Sequence, residues 1–114
     1  MKIEGIKQLI EATVICGEES LDHEVEFGFA SDLMSDVLTL DDDNTILITG
    51  LANLQSIRTA EMADLRCIIL ARNKDASDDM VALAKELDLI ILKSKYSVFK
   101  TSGILFNAGL KPVY

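Results

Sequence analysis

Two short apolar runs that enclose a helix-like segment constrain the fold of this chain more than any other feature. Residues 46–48 and 67–70 contain no charged side chain and do not alternate with polar residues. Such runs are typical of strands that are buried on both faces. Between them, Gly50 can make a turn and Asn53 can cap a helix. The apolar side of that helix would comprise Leu54, Ile57, Met62 and Leu65. The pattern predicts a βαβ unit, whose crossover is almost always right-handed.

Similar runs recur along the chain and alternate with helical patterns. The five predicted strands lie near residues 13–16, 25–29, 46–49, 67–71 and 89–92. The second alternates more than the others, so we expect one of its faces to be less buried and the strand to lie near an edge. We predict an α/β fold, a three-layer sandwich in which helices cover both faces of a mostly parallel five-stranded sheet.

Apolar residues at helical spacing identify the faces that should pack on this sheet. Ser31 should cap a helix over residues 32–38, with Asp32 at the positive end of its dipole. Ser77 should cap a second helix, and Tyr96 or Ser97 should begin the last one. The expected packing residues of the first and last of these helices are Leu33, Met34, Val37 and Leu38, and Phe99, Ile104, Phe106 and Leu110.

Length and composition narrow the class of protein. The 114 residues suffice for a single domain over residues 1–114, and no apolar run is long enough to span a membrane. No secretory signal is recognisable, so a cytoplasmic location is expected. The net charge of −8 disfavours nucleic acid and anionic membranes as partners. Cys16 and Cys67 lie inside apolar runs and are expected to be buried free thiols.

The sequence offers no catalytic set. His23 is the only histidine and lies in an acidic loop, and there is no Gly-x-Ser-x-Gly, Walker A or GxGxxG motif. The acidic residues 41–43 lack the spacing of a calcium loop and predict a solvated turn. We therefore expect no catalytic residue, no metal ligand and no cofactor.

Position in the sheet gives the remaining functional signal. Ligands of open α/β sheets bind beyond the carboxyl ends of the strands. Five basic residues of the second half would lie there: Arg72, Lys74, Lys93, Lys95 and Lys100. Backbone N–H groups at the helix N-termini add partial positive charge there, so this edge could bind an anion. The alternative to an anion site is that basic residues simply occupy exposed loops. The predicted anion-binding residues are Thr49, Gly50, Asn53, Asn73, Lys74, Lys93, Ser94 and Thr101.

The order of motifs over roughly residues 10–110 resembles the DRTGG domain family. The resemblance is carried by FASDLMSDVL before the central strand, by ILITGLANLQSIRTAEMADLRCIIL, and by KSKYSVFKTSGILFNAGL. Such domains resemble the N-terminal domain of HPr kinase/phosphorylase. They also occur in phosphotransacetylases and between the CBS modules of certain pyrophosphatases, which adenine nucleotides regulate. The Gly of the family's Gly-Asp-Arg turn matches Gly50, but Leu51-Ala52-Asn53 replaces its charged pair.

The resemblance implies a non-catalytic regulatory or ligand-binding module, commonly a homodimer, whose ligand would be a nucleotide or another phosphate-containing anion. A chain this apolar should also have a face left over for a two-fold contact, with its acidic loops outside it. The alternative is an interaction subunit that docks on a redox or signalling enzyme and binds no small molecule. A phosphotransferase is a third reading, although the catalytic P-loop domain of HPr kinase has no counterpart here.

Overall fold

A computed structural model describes all of residues 1–114 as a three-layer α/β fold. The strands are β1 (Thr13–Cys16), β2 (Phe27–Ala30), β3 (Thr45–Thr49), β4 (Cys67–Leu70), β5 (Ile90–Lys93) and β6 (Lys111–Pro112). The helices are α1 (Ile3–Leu9), α2 (Met34–Val37), α3 (Leu54–Met62), α4 (Asp78–Glu86) and α5 (Val98–Asn107). No helix is both long and apolar enough to cross a bilayer.

The strands form one sheet in the order β1-β5-β4-β3-β2-β6. All neighbouring pairs are parallel except β1 with β5, which are antiparallel. The predicted class and the mostly parallel sheet are confirmed, but the sheet has six strands instead of five. The missed strand, β6, is a two-residue edge pairing with Phe27 and Gly28, too short to leave a pattern in the sequence.

The sheet separates two hydrophobic clusters. One contains Leu47 and Ile68 with residues of α2, α3 and α4, and the other contains Ile46 and Ile69 with residues of α1 and α5. Every residue of β3 and β4 is buried, because successive side chains point to opposite faces and a helix layer covers each face. Both cysteines are buried and free, as predicted.

The predicted helix starts are confirmed at three positions. The side chain of Asn53 accepts a hydrogen bond from the Ser56 N–H, that of Ser77 from Met80, and that of Ser97 from Lys100. The helix predicted for residues 32–38 is shorter, because the Ser31 hydroxyl accepts the Leu33 N–H in a local turn and α2 begins at Met34.

Several predicted packing residues are exposed instead. The prediction was wrong for Phe99, which is 89% exposed, and for Phe106, which is 64% exposed. Thr101 and Leu105 form the buried side of α5, and at 100° per residue the two phenylalanines lie roughly 130° around the helix from it. The other predicted packing residues that are exposed are Leu33, Leu38, Leu54 and Met62.

Candidate functional site

The turn after β3 is organised around the carboxylate of Asp32. The Gly50 N–H donates to Asp32 Oδ1 at 2.7 Å, and the buried Thr49 hydroxyl donates to the same oxygen at 2.8 Å. Thr49 Oγ1 in turn accepts the Leu51 N–H at 3.1 Å. Asp32 reaches this turn because it follows β2, which is parallel to β3 and ends at the same edge of the sheet.

The electrostatics of this turn favour negative charge. The Gly50 N–H, the Thr49 hydroxyl and the nearby charge of Arg72 lower the pKa of Asp32, in that order of importance. Hydrogen bonds to the ionised form of a carboxyl group stabilise that form. The turn is therefore an anion-binding position that is filled by a carboxylate of the same chain.

Arg72, from the loop after β4, completes the arrangement around Gly50. A Cβ added to Gly50 would lie 3.3 Å from Arg72 Nη2 and 3.5 Å from Asp32 Oδ2, so the absence of a side chain leaves room for both groups. Arg72 is exposed and makes neither an ion pair nor a side-chain hydrogen bond. The charged pair that the family resemblance places directly after this glycine is missing from the turn. The structure instead brings a carboxylate and a guanidinium to Gly50 from two other loops.

The backbone at Arg72 is held in an uncommon conformation. Arg72 and Asn73 have φ of 58° and 59°, in a turn closed by the Lys74 N–H on the Ala71 carbonyl oxygen. The Arg72 N–H donates to the Tyr96 carbonyl oxygen at 2.7 Å and the Asn73 N–H to that of Ser94 at 2.8 Å. The other non-glycine residues with positive φ directly follow the ends of α1, α3 and α4, where this conformation is common: Glu11, Asp64 and Asp88. Strain away from a helix end is found preferentially at functional sites.

A second groove of about 330 Å³ lies further along the same edge. It brings together Asn73 and Lys93, two of the predicted site residues, but Lys93 is ion-paired with Asp75. The Tyr96 hydroxyl donates to Glu11 in the same region, which lowers the pKa of Glu11. The charges of this groove are therefore largely satisfied within the chain.

The remaining predicted residues do not join these two clusters. Asn53 is engaged as the cap of α3, and the buried Ser94 hydroxyl donates to the Ile10 carbonyl oxygen at 2.9 Å. Thr101 is fully buried and its hydroxyl has no partner. Lys74 is exposed beside Arg72.

The sequence predicted that Arg72 lies at the carboxyl edge of the sheet, but Arg72 was not among the predicted anion-binding residues. Asp32 was assigned only to the helix dipole. The signal for Asp32 was its position just after the predicted second strand, since parallel strands deliver their carboxyl ends to one edge. The structure places no group of three or more His, Cys, Asp or Glu side chains where they could hold a metal ion. His23 lies near the start of β2, with Nε2 2.9 Å from the Asp43 carbonyl oxygen.

Comparison with known proteins agrees with this architecture. The model of the DRTGG domain matches residues 5–108. Among solved structures, the chain is similar to the CBS and DRTGG domains of the regulatory region of Clostridium perfringens pyrophosphatase, a structure complexed with the activator diadenosine tetraphosphate. The TM-score is 0.73 at 14% identity, and the match covers 98% of this chain and 48% of that one. The chain thus spans about half the length of that structure, and the likeness is one of fold.

No curated protein matches the sequence. The family match covers most of the chain and confirms the resemblance found in the motifs. The chain belongs to the DRTGG domain family.

Proposed function

We propose that this chain is a non-catalytic regulatory module that binds a phosphate-containing anion, with adenine nucleotides as the first candidates. The proposal is supported by the family and by the similar regulatory region, which was crystallised with a nucleotide activator. The binding position is the carboxyl edge of the sheet, at the turn formed by Thr49 and Gly50. This is the edge at which open α/β sheets bind their ligands.

The observation that carries the proposal is the unpaired guanidinium of Arg72 beside Gly50. A guanidinium presents five N–H donors in a planar fork that fits phosphate oxygens. Arg72 is presented by a turn with two left-handed residues, which two backbone hydrogen bonds fix to the loop after β5. An exposed guanidinium that makes no ion pair or hydrogen bond within the chain, on a backbone that is fixed, is suited to an external anion.

An anion bound here would contact Arg72 first. It would then compete with Asp32 for the partly exposed Gly50 N–H, because this donor already binds that carboxylate. The chain therefore offers its own carboxylate as a competitor of the ligand. Binding should be weak at high salt, since the screening length falls to about 8 Å near physiological ionic strength.

Calorimetric titration with AMP, ATP, diadenosine tetraphosphate and inorganic phosphate tests the proposal. We expect the wild type to bind at least one of them and Arg72→Gln to weaken binding by about tenfold or more, the effect of one charge-assisted hydrogen bond. Arg58→Gln is the matched control, because Arg58 is exposed on α3 and has no partner. It makes the same change of charge and should leave the affinity within about twofold.

Two results would overturn the proposal. If none of these compounds gives heat or a thermal shift with the wild type at millimolar concentration, the chain is better described as an interaction subunit that docks on another enzyme. If Arg58→Gln and Arg72→Gln weaken binding equally, the ligand responds to the overall charge and no site at Gly50 is needed.

A further inference from the structure

An apolar groove of about 340 Å³ lies beside the Asp32 turn, between α5 and the strands that lead into that turn. Ala30, the last residue of β2, and Ile48, which precedes Thr49, line it from the sheet. The Ser31 N–H donates to the Ile48 carbonyl oxygen at 3.1 Å, so β2 and β3 stay joined at this point. The groove and the proposed anion position are therefore neighbours at the carboxyl edge of the sheet.

The walls of the groove suit a flat ring system. Gly28 and Ala30 leave space on the sheet side because neither carries a bulky side chain, and the buried Leu105 and Leu110 provide apolar contacts. Phe99 lies on the helix side, in the first turn of α5, and is 89% exposed. A ring in this groove could pack one face on the apolar wall and stack the other on Phe99. The volume lies within the range of small-molecule sites, about 300–1,000 Å³.

The backbone of Ala30 adds a donor and an acceptor at the rim. The Ser31 N–H points towards β3, and successive residues of a strand direct their backbone polar groups to opposite sides. The N–H and C=O of Ala30 therefore point away from β3. On that side β6 pairs with β2 only as far as Gly28, so no strand meets Ala30. These two groups are open to hydrogen bonds from a ligand.

Ser102 contributes a hydroxyl that has no partner. It lines the groove, and its buried Oγ makes no hydrogen bond within the chain. The Thr101 hydroxyl is also unpaired, but Thr101 does not line the groove. Because buried polar groups nearly always have a partner, an unpaired hydroxyl in the wall of a groove is suited to a partner from outside the chain.

We propose that this groove holds the planar heterocyclic base of a nucleotide whose phosphate lies at Gly50 and Arg72. The inference rests on the proposed anion position and names the class of ligand that uses it. A base has apolar faces for Phe99 and the apolar wall, and polar edges for Ala30 and Ser102. A hydrocarbon chain would leave these polar groups unpaired, and inorganic phosphate would leave the groove unused.

The spacing along the sheet fits a single nucleotide. Ala30 is paired with Ile48, and Gly50 follows Ile48 by two residues, about 7 Å further along at the rise of a parallel strand. A ribose separates the base of a nucleotide from its 5′-phosphate and can bridge a gap of this size. The base and the phosphate of one molecule can therefore occupy both positions at once.

Calorimetric titration with AMP, adenosine, ribose 5-phosphate and inorganic phosphate separates the groove from the anion position. AMP should bind about tenfold or more tightly than ribose 5-phosphate, because stacking of a base on an aromatic side chain alone contributes about fivefold or more. Adenosine should bind Arg72→Gln as tightly as the wild type, since the base does not use the guanidinium.

Ala30→Leu fills the groove with a side chain of the protein itself. Ala30 is exposed at the end of β2, so the fold should be retained. The substitution should weaken AMP binding by about tenfold and leave ribose 5-phosphate binding within about twofold. Ala82→Leu is the matched control, because Ala82 is exposed on α4 and does not line the groove. It should change neither affinity.

Two further pairs of variants test the individual contacts. Phe99→Ala should weaken AMP binding by about fivefold or more, whereas Met62→Ala should not, since Met62 is equally apolar and 68% exposed on α3. Ser102→Ala should weaken AMP and adenosine binding by about threefold or more, the effect of one lost hydrogen bond. Thr101→Val removes the other unpaired hydroxyl and should leave both affinities unchanged.

The possible results distinguish the two proposals. Equal affinities for AMP and ribose 5-phosphate, or AMP binding that Ala30→Leu and Phe99→Ala leave unchanged, would overturn the base site and retain the anion position. Adenosine binding that Ala30→Leu abolishes, without any binding of phosphate or ribose 5-phosphate, would support the groove and overturn the anion position. Failure of all four probes to bind at millimolar concentration would overturn both.

Discussion

Removing the Asp32 carboxylate should affect stability and anion binding in opposite directions. In the wild type this carboxylate accepts the Gly50 N–H and the Thr49 hydroxyl. In Asp32→Ala both donors lose their acceptor, and Thr49 is fully buried, so water cannot readily replace it. The partly exposed Gly50 N–H becomes available to an external phosphate. The substitution should therefore weaken the fold and strengthen the binding.

The loss of stability can be estimated from the two hydrogen bonds. Each bond to a charged group contributes about 1.5–3 kcal/mol, and screening of the exposed carboxylate reduces the sum to about 2 kcal/mol. For a chain of this length, that loss lowers Tm by about 8 °C. On the binding side, release of one charge-assisted donor and removal of a competing negative charge should raise the phosphate affinity by about tenfold.

The stability difference should depend on pH in a defined direction. The pKa of Asp32 in the folded chain lies below its ordinary value of 3.8. The stabilisation is therefore fully present above the unfolded pKa and is lost as the pH falls through the folded one. The difference in unfolding free energy between wild type and Asp32→Ala should be constant from about pH 7 to pH 5 and should shrink below about pH 4.

Urea denaturation at several pH values and phosphate titration at neutral pH measure these effects. Asp41→Ala is the control, because Asp41 is exposed, its carboxylate makes no hydrogen bond, and the change of charge is the same. Equal gains of affinity in both variants would mean that only net charge matters. A loss of affinity in Asp32→Ala would refute the competition between carboxylate and ligand, and would make Asp32 part of the binding site.

Three further substitutions or reactions test the structural interpretation. Thr101→Val should leave nucleotide binding unchanged. It should leave the free energy of unfolding unchanged or raise it by up to about 1 kcal/mol, since the buried hydroxyl has no partner. A decrease in the free energy of unfolding, measured by urea denaturation, would show that the hydroxyl has a partner. Gly17→Ala should cost at least about 2 kcal/mol more than Gly109→Ala by the same measurement, because both glycines have positive φ but only at Gly17 would a Cβ meet the backbone of Ile90, at 2.9 Å. Burial raises the pKa of the Cys67 thiol, so Ellman's reagent should label Cys67 only at the rate of unfolding, and rapid labelling under native conditions would contradict its position between the layers.

The sequence predicted the parts of the fold that depend on local patterns. The apolar runs of β3 and β4 and the caps at Asn53, Ser77 and Ser97 are found as expected, because burial on both faces and capping each impose a residue type at a fixed place. The antiparallel direction of β1 and the short β6 were not predicted, since strand direction and a two-residue pairing leave no periodic signal.

The site was harder to predict because its contacts are long-range. Asp32 and Gly50 are 18 residues apart, and nothing local to either indicates that one binds the other. Ser94 and Thr101 were selected for their polar type and position, but the layers bury both of them. The exposure of Phe99 was missed for a related reason, since an apolar stripe identifies a face that packs without saying whether it packs within the chain or against another molecule.

The loop between β5 and α5 connects the turn at Arg72 to the helix that carries the exposed phenylalanines. The carbonyl oxygens of Tyr96 and Ser94 in this loop accept hydrogen bonds from the N–H groups of Arg72 and Asn73. The loop leads directly into α5, which carries Phe99. If an anion shifts the turn at Arg72 and α5 mediates association, thermodynamic linkage makes the two equilibria reciprocal. A ligand that tightens the dimer must then bind the dimer more tightly than the monomer. Sedimentation with and without the ligand would measure that coupling. Identical dimer dissociation constants under the two conditions would show that ligand binding and association are not coupled.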